Sequence, residues 1–155
     1  MRKKKSEIRR EFVNVKFEEL LEKKDLFVSL ERITVPRRIL GEGTLSIVIN
    51  ISDDFGALFL QENKHLITTL QIDFAHNVMF SIIPDDFTEY DHSERFSGNT
   101  FKVYTKSRQL EFAEKMTPHS RDVFSNKKLL HYSIVCFEDN VDVFSYVEPT
   151  IIVVR

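Results

Sequence analysis

The stretch that decides the fold runs from residue 45 to residue 52 and reads Leu45-Ser46-Ile47-Val48-Ile49-Asn50-Ile51-Ser52. Its odd positions are all Leu or Ile, whereas three of its four even positions are Ser or Asn. This period of two is typical of a strand that buries one face. Asp53 and Asp54 follow at once and favour a turn. The stretch therefore predicts a half-buried strand with a defined end.

A second alternating stretch lies downstream. Leu66 to Phe74 places apolar side chains on one face, and Val78 to Ile83 supplies a return strand that ends before Pro84. Ala75-His76-Asn77 separates the two, so we expect a β-hairpin over residues 66–83. Further stretches of strand composition are Leu26 to Val35, Ala57 to Leu60 and Phe101 to Thr105.

The C-terminal third predicts another hairpin. Leu129 to Phe137 and Val141 to Val147 flank the turn residues Glu138-Asp139-Asn140. A last strand over Ile151 to Val154 then makes this third of the chain a β-meander. If this last strand lies at a sheet edge, it exposes unpaired backbone groups. Two copies of the chain could then pair along it, so a homodimer is a further prediction.

Two segments have helical composition. Phe17 to Lys24 consists of good helix formers, with Asn14 upstream as a cap. Before Asn14 the spacing fits a strand and a helix equally. Ser107 can cap a short helix near residues 107–117, which Pro118 would end.

The elements together predict an α+β domain that is mainly antiparallel β. We expect about seven or eight strands in a sandwich or a strongly curved sheet, with the N-terminal helix and the short helix near 107–117. Long helical spacers are missing, which argues against parallel βαβ units. The whole chain, residues 1–155, fits one domain, with residues 1–10 as a frayed basic terminus.

Composition bounds the class of protein. The 155 residues include 14 Phe but no Trp, and Phe fills cores because it has no polar group to satisfy. Cys136 is the single cysteine, so no intrachain disulfide can form. The basic start lacks the apolar run of a signal peptide, and no stretch has the roughly 20 apolar residues that cross a bilayer. We therefore expect a cytoplasmic protein that does not contact membranes.

No stretch carries a specific catalytic or nucleotide-binding motif. The five histidines do not share helical metal-ligand spacing, and Gly41-Glu42-Gly43 indicates a turn. We therefore expect no cofactor and no metal, and no nucleic-acid binding, since the aromatic residues are not interleaved with basic ones. His131 is expected to be a partly buried, hydrogen-bonded imidazole, and Cys136 a buried, inert thiol on the opposite face of its strand.

The one feature of the sequence that suggests a function is an acidic segment in the middle of the chain. Residues 41–99 contain ten acidic and two basic side chains, and the connection from Pro84 to Thr100 is the longest in the chain. Its spacing does not fit a calcium-binding loop, so it is either a solvated loop or a docking surface for a basic partner. The candidate partner-binding residues are Asp85, Asp86, Glu89, Tyr90, Asp91, His92 and Glu94.

Three functions are compatible with these observations. The leading hypothesis is a non-catalytic protein-interaction module, of the immunity or antitoxin type, whose acidic surface binds a basic protein. The second is a β-barrel-like protein that binds a small ligand in a Phe-lined cavity. The third is a carboxylate-dependent hydrolase that uses Asp73 with an acid from residues 85–94. These carboxylates are distant in the sequence and could meet only in the folded chain.

Overall fold

The fold is that of a computed structural model that describes residues 15–37 and 43–154. The strands in these ranges are β1 (Phe27–Thr34), β2 (Leu45–Ser52), β3 (Thr68–Phe74), β4 (Asn77–Pro84), β5 (Arg95–Gly98), β6 (Phe101–Lys106), β7 (Leu130–Val135), β8 (Asp139–Ser145) and β9 (Thr150–Val153). The α-helices are α1 (Phe17–Leu21), α2 (Phe55–Phe59), α3 (Arg108–Met116) and α4 (Ser120–Val123), and short 3₁₀ turns cover Lys64–Leu66 and Asp85–Phe87.

The strands form two antiparallel sheets. One sheet has the order β1-β2-β3-β9, and the other has the order β4-β8-β7-β6-β5. β2 lies inside the first sheet, where Ile47 pairs with Ile33 on one side and with Ile72 on the other. The strand predicted over residues 45–52 is therefore confirmed with its bounds, but it is more deeply buried than predicted, because Val48 and Ser52 on its second face are buried as well.

The main core lies between the sheets. Ile49 and Leu70 from the four-stranded sheet and Val143 from the five-stranded sheet belong to one buried cluster. α1 adds Phe17, whose ring packs edge-on against Phe101 at 5.9 Å and against Tyr132 at 5.1 Å between ring centroids. The α+β sandwich predicted from the sequence is confirmed, and its sheets do not close into a barrel.

Several boundaries differ from the prediction. The N-terminal helix ends at Leu21, and its N-cap position is Lys16, which makes no side-chain capping bond. Asn14, the basic residues 1–10 and most of the Gly41-Glu42-Gly43 turn lie outside the described residues. The described ranges hold nine strands, one or two more than predicted, because the connection from Pro84 to Thr100 contains β5 and a 3₁₀ turn.

The hairpin predicted over residues 66–83 is wrong. β3 is hydrogen-bonded to β2 on one edge and to β9 on the other, so it has no edge left for β4. The turn at Ala75 and His76 instead carries the chain from one sheet to the other, where β4 pairs with β8. Alternation identifies the buried face of a strand but not its neighbour, which explains the error.

The C-terminal prediction is half correct. β7 and β8 form the expected hairpin, with Ser133 opposite Asp142. The last strand does not continue a meander, because β9 pairs with β3 in the other sheet, with Ile151 opposite Ile72.

The strand predicted at Ala57 to Leu60 is also wrong, because these residues lie in and just after helix α2. The Asp54 carboxylate accepts hydrogen bonds from the backbone N–H groups of Gly56, at 2.9 Å, and Ala57, at 3.3 Å. This N-cap satisfies two backbone donors that a helix start leaves unpaired. Local capping therefore decides the structure of a short apolar run that composition alone leaves ambiguous.

Gly98 offers a test of the β5–β6 turn. Its φ is +98°, and a Cβ there would lie 1.9 Å from the Phe101 carbonyl oxygen. Gly98→Ala should therefore lower the free energy of unfolding by about 1–3 kcal/mol. Urea unfolding followed by circular dichroism measures this change.

Gly56→Ala is the matched control. A Cβ at Gly56 would contact only side-chain oxygens, of Asp54 at 3.2 Å and Glu62 at 3.4 Å, and alanine favours the helix. Its stability should lie nearer that of the wild type. Equal losses in both variants would show that the turn geometry at Gly98 is not the constraint.

Candidate functional site

A pocket lies on the outer face of the five-stranded sheet, which points away from the main core. Part of this face is covered by α3, where Leu110 and Ala113 pack against Leu129 and Phe144. Another part is bordered by residues 85–94. The pocket between them has a volume of about 790 Å³, which is in the usual range for small-molecule sites.

Cross-strand register builds the pocket floor from two adjacent rows of side chains. In the first row, the His131 ring stacks between Tyr104, at 4.4 Å, and Phe144, at 4.5 Å. The second row is polar, because Lys102 pairs with Ser133 and Ser133 pairs with Asp142. Asn140 lies two residues from Asp142 on β8 and therefore shares its face.

The floor contains a buried hydrogen-bonded chain. His131 Nε2 lies 2.6 Å from Asp142 Oδ1, and His131 Nδ1 lies 2.8 Å from Ser107 Oγ. Ser107 Oγ also accepts a bond of 2.9 Å from the Leu110 N–H and so caps α3. A neutral imidazole satisfies this geometry when Nε2–H donates to the carboxylate and Nδ1 accepts from the serine hydroxyl. The expectation of a hydrogen-bonded His131 is confirmed.

Ser, His and Asp in contact also invite comparison with a nucleophilic triad. Ser107, however, is only 2% exposed and is not among the residues that line the pocket. A nucleophile must reach its substrate, and the shielded Ser107 hydroxyl does not reach one in the pocket. The arrangement therefore positions the pocket floor and the start of α3.

Two buried polar groups on the floor have unused hydrogen-bonding capacity. Asn140 is 7% exposed, and its Nδ2 donates to Thr88 Oγ1 at 2.8 Å and to Asp85 Oδ1 at 3.2 Å. These acceptors fix the amide orientation and leave Asn140 Oδ1 buried, with no partner within residues 15–37 and 43–154. A buried acceptor without a partner, such as Asn140 Oδ1, is uncommon in protein interiors. Ser133 is 4% exposed, and its hydroxyl, which keeps some exposure, makes no hydrogen bond with the described part of the chain.

Lys102 and Tyr104 add two groups whose ionisation is shifted. Burial lowers the pKa of Lys102, and the nearby carboxylates of Asp142 and Glu94 oppose that change. Lys102 Nζ lies 4.5 Å from the centroid of the Phe96 ring. Burial also raises the pKa of Tyr104 to about 12, so its hydroxyl stays protonated and can donate a hydrogen bond.

Residues 85–94 form one wall of this pocket. Of the predicted partner-binding residues, four line it and three do not: the lining residues are Asp85, Glu89, Tyr90 and Glu94, and the others are Asp86, Asp91 and His92. Arg108 Nε lies 3.1 Å from Asp91 and 3.7 Å from Glu94, which ties the wall to the start of α3. Hydrogen bonds from Ser93, together with Arg108, lower the pKa of Asp91. Part of the acidic charge is therefore neutralised within the chain.

Other predicted groups lie elsewhere. Asp73 belongs to the four-stranded sheet and accepts hydrogen bonds from Ser46 and Gln71, so it does not meet residues 85–94, which border the other sheet. Cys136 lies in the core, where burial raises the pKa of its thiol to about 12. Phe80 and Phe112 are the phenylalanines that line the pocket, so its lining is not the Phe-rich cavity expected from composition.

Sequence reasoning missed four groups of the floor, namely Lys102, Ser133, Asn140 and Asp142. The available signal was the placing of polar residues at alternate positions of otherwise apolar strands, such as Asn140 and Asp142 around Val141. A strand face with several polar residues faces water or a ligand.

Among the residues that the structure describes, no group of three or more His, Cys, Asp or Glu side chains could hold a metal ion. No helix in the described ranges has the length and apolar character needed to cross a bilayer. Comparison with protein-family models, with curated proteins and with solved structures finds no significant match to this chain.

The buried chain at Ser107 leads to a stability prediction. Ser107→Ala removes the α3 cap and leaves His131 Nδ1 buried without a partner, which should lower the free energy of unfolding by about 1–3 kcal/mol. Ser125→Ala is the matched control, because Ser125 is exposed and has no hydrogen bond from its hydroxyl to the described residues. Urea unfolding of both variants checks this, and equal stabilities would contradict it.

Proposed function

We propose that this chain binds a small organic molecule in the pocket on the five-stranded sheet. The observation that carries the proposal is Asn140 Oδ1, a buried acceptor in the pocket lining that has no partner among the described residues. An unpaired buried acceptor costs about 1–3 kcal/mol, and a bound donor would recover that cost. The free hydroxyl of Ser133 supports the same interpretation.

The rest of the lining suits an organic body. Met79, Ile83 and Phe112 give the walls apolar surface, and Tyr90 adds an aromatic ring that is 68% exposed. Binding pockets commonly combine such walls with a few well-placed polar groups. A single metal ion would make no use of these apolar contacts.

The pocket is also held in place before any ligand binds. Its floor belongs to central strands, and the Asp85 N–H donates to the Glu138 carbonyl at 2.9 Å, which fixes one end of the wall. Arg108 fixes the other end through Asp91 and Glu94. Such preorganisation reduces the entropy that binding would otherwise cost.

Binding, not catalysis, is the function that these groups favour. Ser107, whose hydroxyl contacts His131, is shielded from the pocket, and Cys136 lies in the core with a raised pKa. The hydrolase that pairs Asp73 with residues 85–94 has no support, since Asp73 belongs to the other sheet.

Filling the pocket tests the proposal. In Ser133→Leu, a larger apolar side chain projects from the centre of the floor, so fragments that raise the melting temperature of the wild type should not raise that of the variant. Ser29→Leu is the matched control, because Ser29 is on the outer face of the four-stranded sheet. It should keep the response to every fragment.

A fragment screen by thermal shift, repeated by NMR chemical-shift perturbation, provides the measurement. Fragment hits that persist in Ser133→Leu, or a screen with no hits on the wild type, would refute the proposed function. NMR spectra of each variant confirm that it is folded.

A second candidate function is the binding of a basic protein by the acidic segment, residues 85–94. Phe87 is 79% exposed beside Asp86, and neither residue lines the pocket, so this tip is available to a protein partner. We propose a basic partner here, as for an immunity or antitoxin protein. The double variant Asp86→Lys with Phe87→Ala should lose a partner captured by the wild type in an affinity experiment, whereas Ser133→Leu should retain it. Retention by both variants would rule out the tip.

A further inference from the structure

We infer that the ligand of the pocket is an organic cation, a compact apolar or aromatic body that carries an ammonium group. This inference rests on the proposed ligand-binding function and adds the charge of the ligand. Four properties of the pocket support it: the net charge of the lining, the acceptors at one end, the position of Lys102, and the aromatic rings of the lining.

The ionisable lining is predominantly acidic. Four carboxylates and two cationic side chains line the pocket. The carboxylates belong to Asp85, Glu89, Glu94 and Asp142, and the cations are Lys102 and Arg108. Arg108 lies 3.7 Å from Glu94, in the lining, and 3.1 Å from Asp91, outside it, so its charge is shared between the two carboxylates. A cleft with an excess of one charge attracts ligands of the opposite sign and disfavours those of the same sign.

The acceptors without protein donors lie together at the β8 end of the floor. Asn140 Oδ1 has no partner, and Asp142 uses Oδ1 for His131, which leaves Oδ2 without a hydrogen bond from the described chain. The two residues are two positions apart on one strand face, or about 7 Å. Asp85 Oδ1 borders the same end, since it accepts from Asn140 Nδ2. An ammonium group offers three donors and no acceptor, which matches this set.

Lys102 does not occupy that end. Its strand, β6, is separated from β8 by β7, a distance of roughly 10 Å between β6 and β8. Its Nζ lies over the ring of Phe96, on β5, which is on the far side of β6 from β8. Lys102 interacts with Asp142 at a distance, but within the described chain its ammonium group forms no ion pair with Asp142 or Asp85, so the acidic end has room for an external cation.

Aromatic rings in the lining offer a second kind of contact to such a ligand. Tyr104 and Phe80 line the pocket, and Tyr90 and Phe112 present exposed rings in its walls. The faces of such rings attract ammonium groups and also pack against an aromatic body. A ligand with both features would use the polar floor and the walls together.

Three probes of one shape test the sign of the charge. Benzylamine, benzyl alcohol and benzoate share a ring but are cationic, neutral and anionic at neutral pH. In NMR titrations of the full chain, benzylamine should bind about tenfold more tightly than benzyl alcohol, with benzoate the weakest. Added salt should weaken the binding of benzylamine and leave that of the alcohol nearly unchanged.

Variants locate the cation. Asp142→Asn keeps an acceptor for His131 but removes the charge, so benzylamine should bind about tenfold more weakly while benzyl alcohol is unaffected. Asp85→Asn removes a charge from the same end while keeping an oxygen that accepts from Asn140 Nδ2, and it should also weaken benzylamine binding, which keeps the test available if Asp142→Asn does not fold. Asp73→Asn, on the other sheet, is the matched control and should leave the affinity of all three probes unchanged.

The outcomes separate this inference from the function on which it rests. Equal binding of the three probes, or tightest binding of benzoate, would overturn the cationic ligand while leaving the pocket as a binding site. If none of the probes binds but the fragment screen finds neutral or anionic ligands that Ser133→Leu loses, the charge assignment alone fails. If the screen also finds no ligand, both the assignment and the proposed function fail.

Discussion

The hydrogen bond between His131 Nε2 and Asp142 Oδ1 joins the two strands of the β7–β8 hairpin on the outer face of the five-stranded sheet. Because both side chains are almost fully buried, water cannot replace either partner without local opening. The other nitrogen of His131 holds Ser107, which in turn caps α3. One imidazole therefore sets the relative positions of the sheet and of the helix that borders the pocket. Tyr104 and Phe144 stack on its two faces and prevent the ring from turning.

This arrangement is costly for a protein that needs only stability. Taking a carboxylate such as that of Asp142 out of water carries a desolvation penalty, and well-packed apolar residues often serve a core at least as well as a buried polar pair. The inner face of the same sheet is closer to that alternative, because apolar side chains such as those of Val141, Val143 and Ile134 make up most of it. Polar residues on the outer face therefore require another explanation, and the proposed ligand supplies one, since native proteins depart from the best local choices mainly at functional sites.

The fold was predictable where information is local. Alternation over residues 45–52 gave β2 with its bounds, and Ser107 gave the start of α3, because strand periodicity and helix capping act within a few residues. The pairing of β3 was not predictable, since the choice between β4 and β9 depends on which strand reaches its free edge. Helix α2 was not predicted for a different reason. Aspartate is common both in turns and at helix N-caps, and only the structure shows that the carboxylate of Asp54 caps a helix.

The same distinction between local and non-local information applies to the candidate site. Its wall was found because Asp85, Glu89 and Glu94 stand close together in the sequence, and composition alone marks such a segment. Its floor was missed because register, not sequence proximity, brings Lys102 beside Ser133 and Ser133 beside Asp142. The polar residues that interrupt the apolar alternation of β7 and β8 look like weak strand signals when each strand is considered alone. Once the strands are paired they form one polar surface, which becomes apparent only at the level of the sheet.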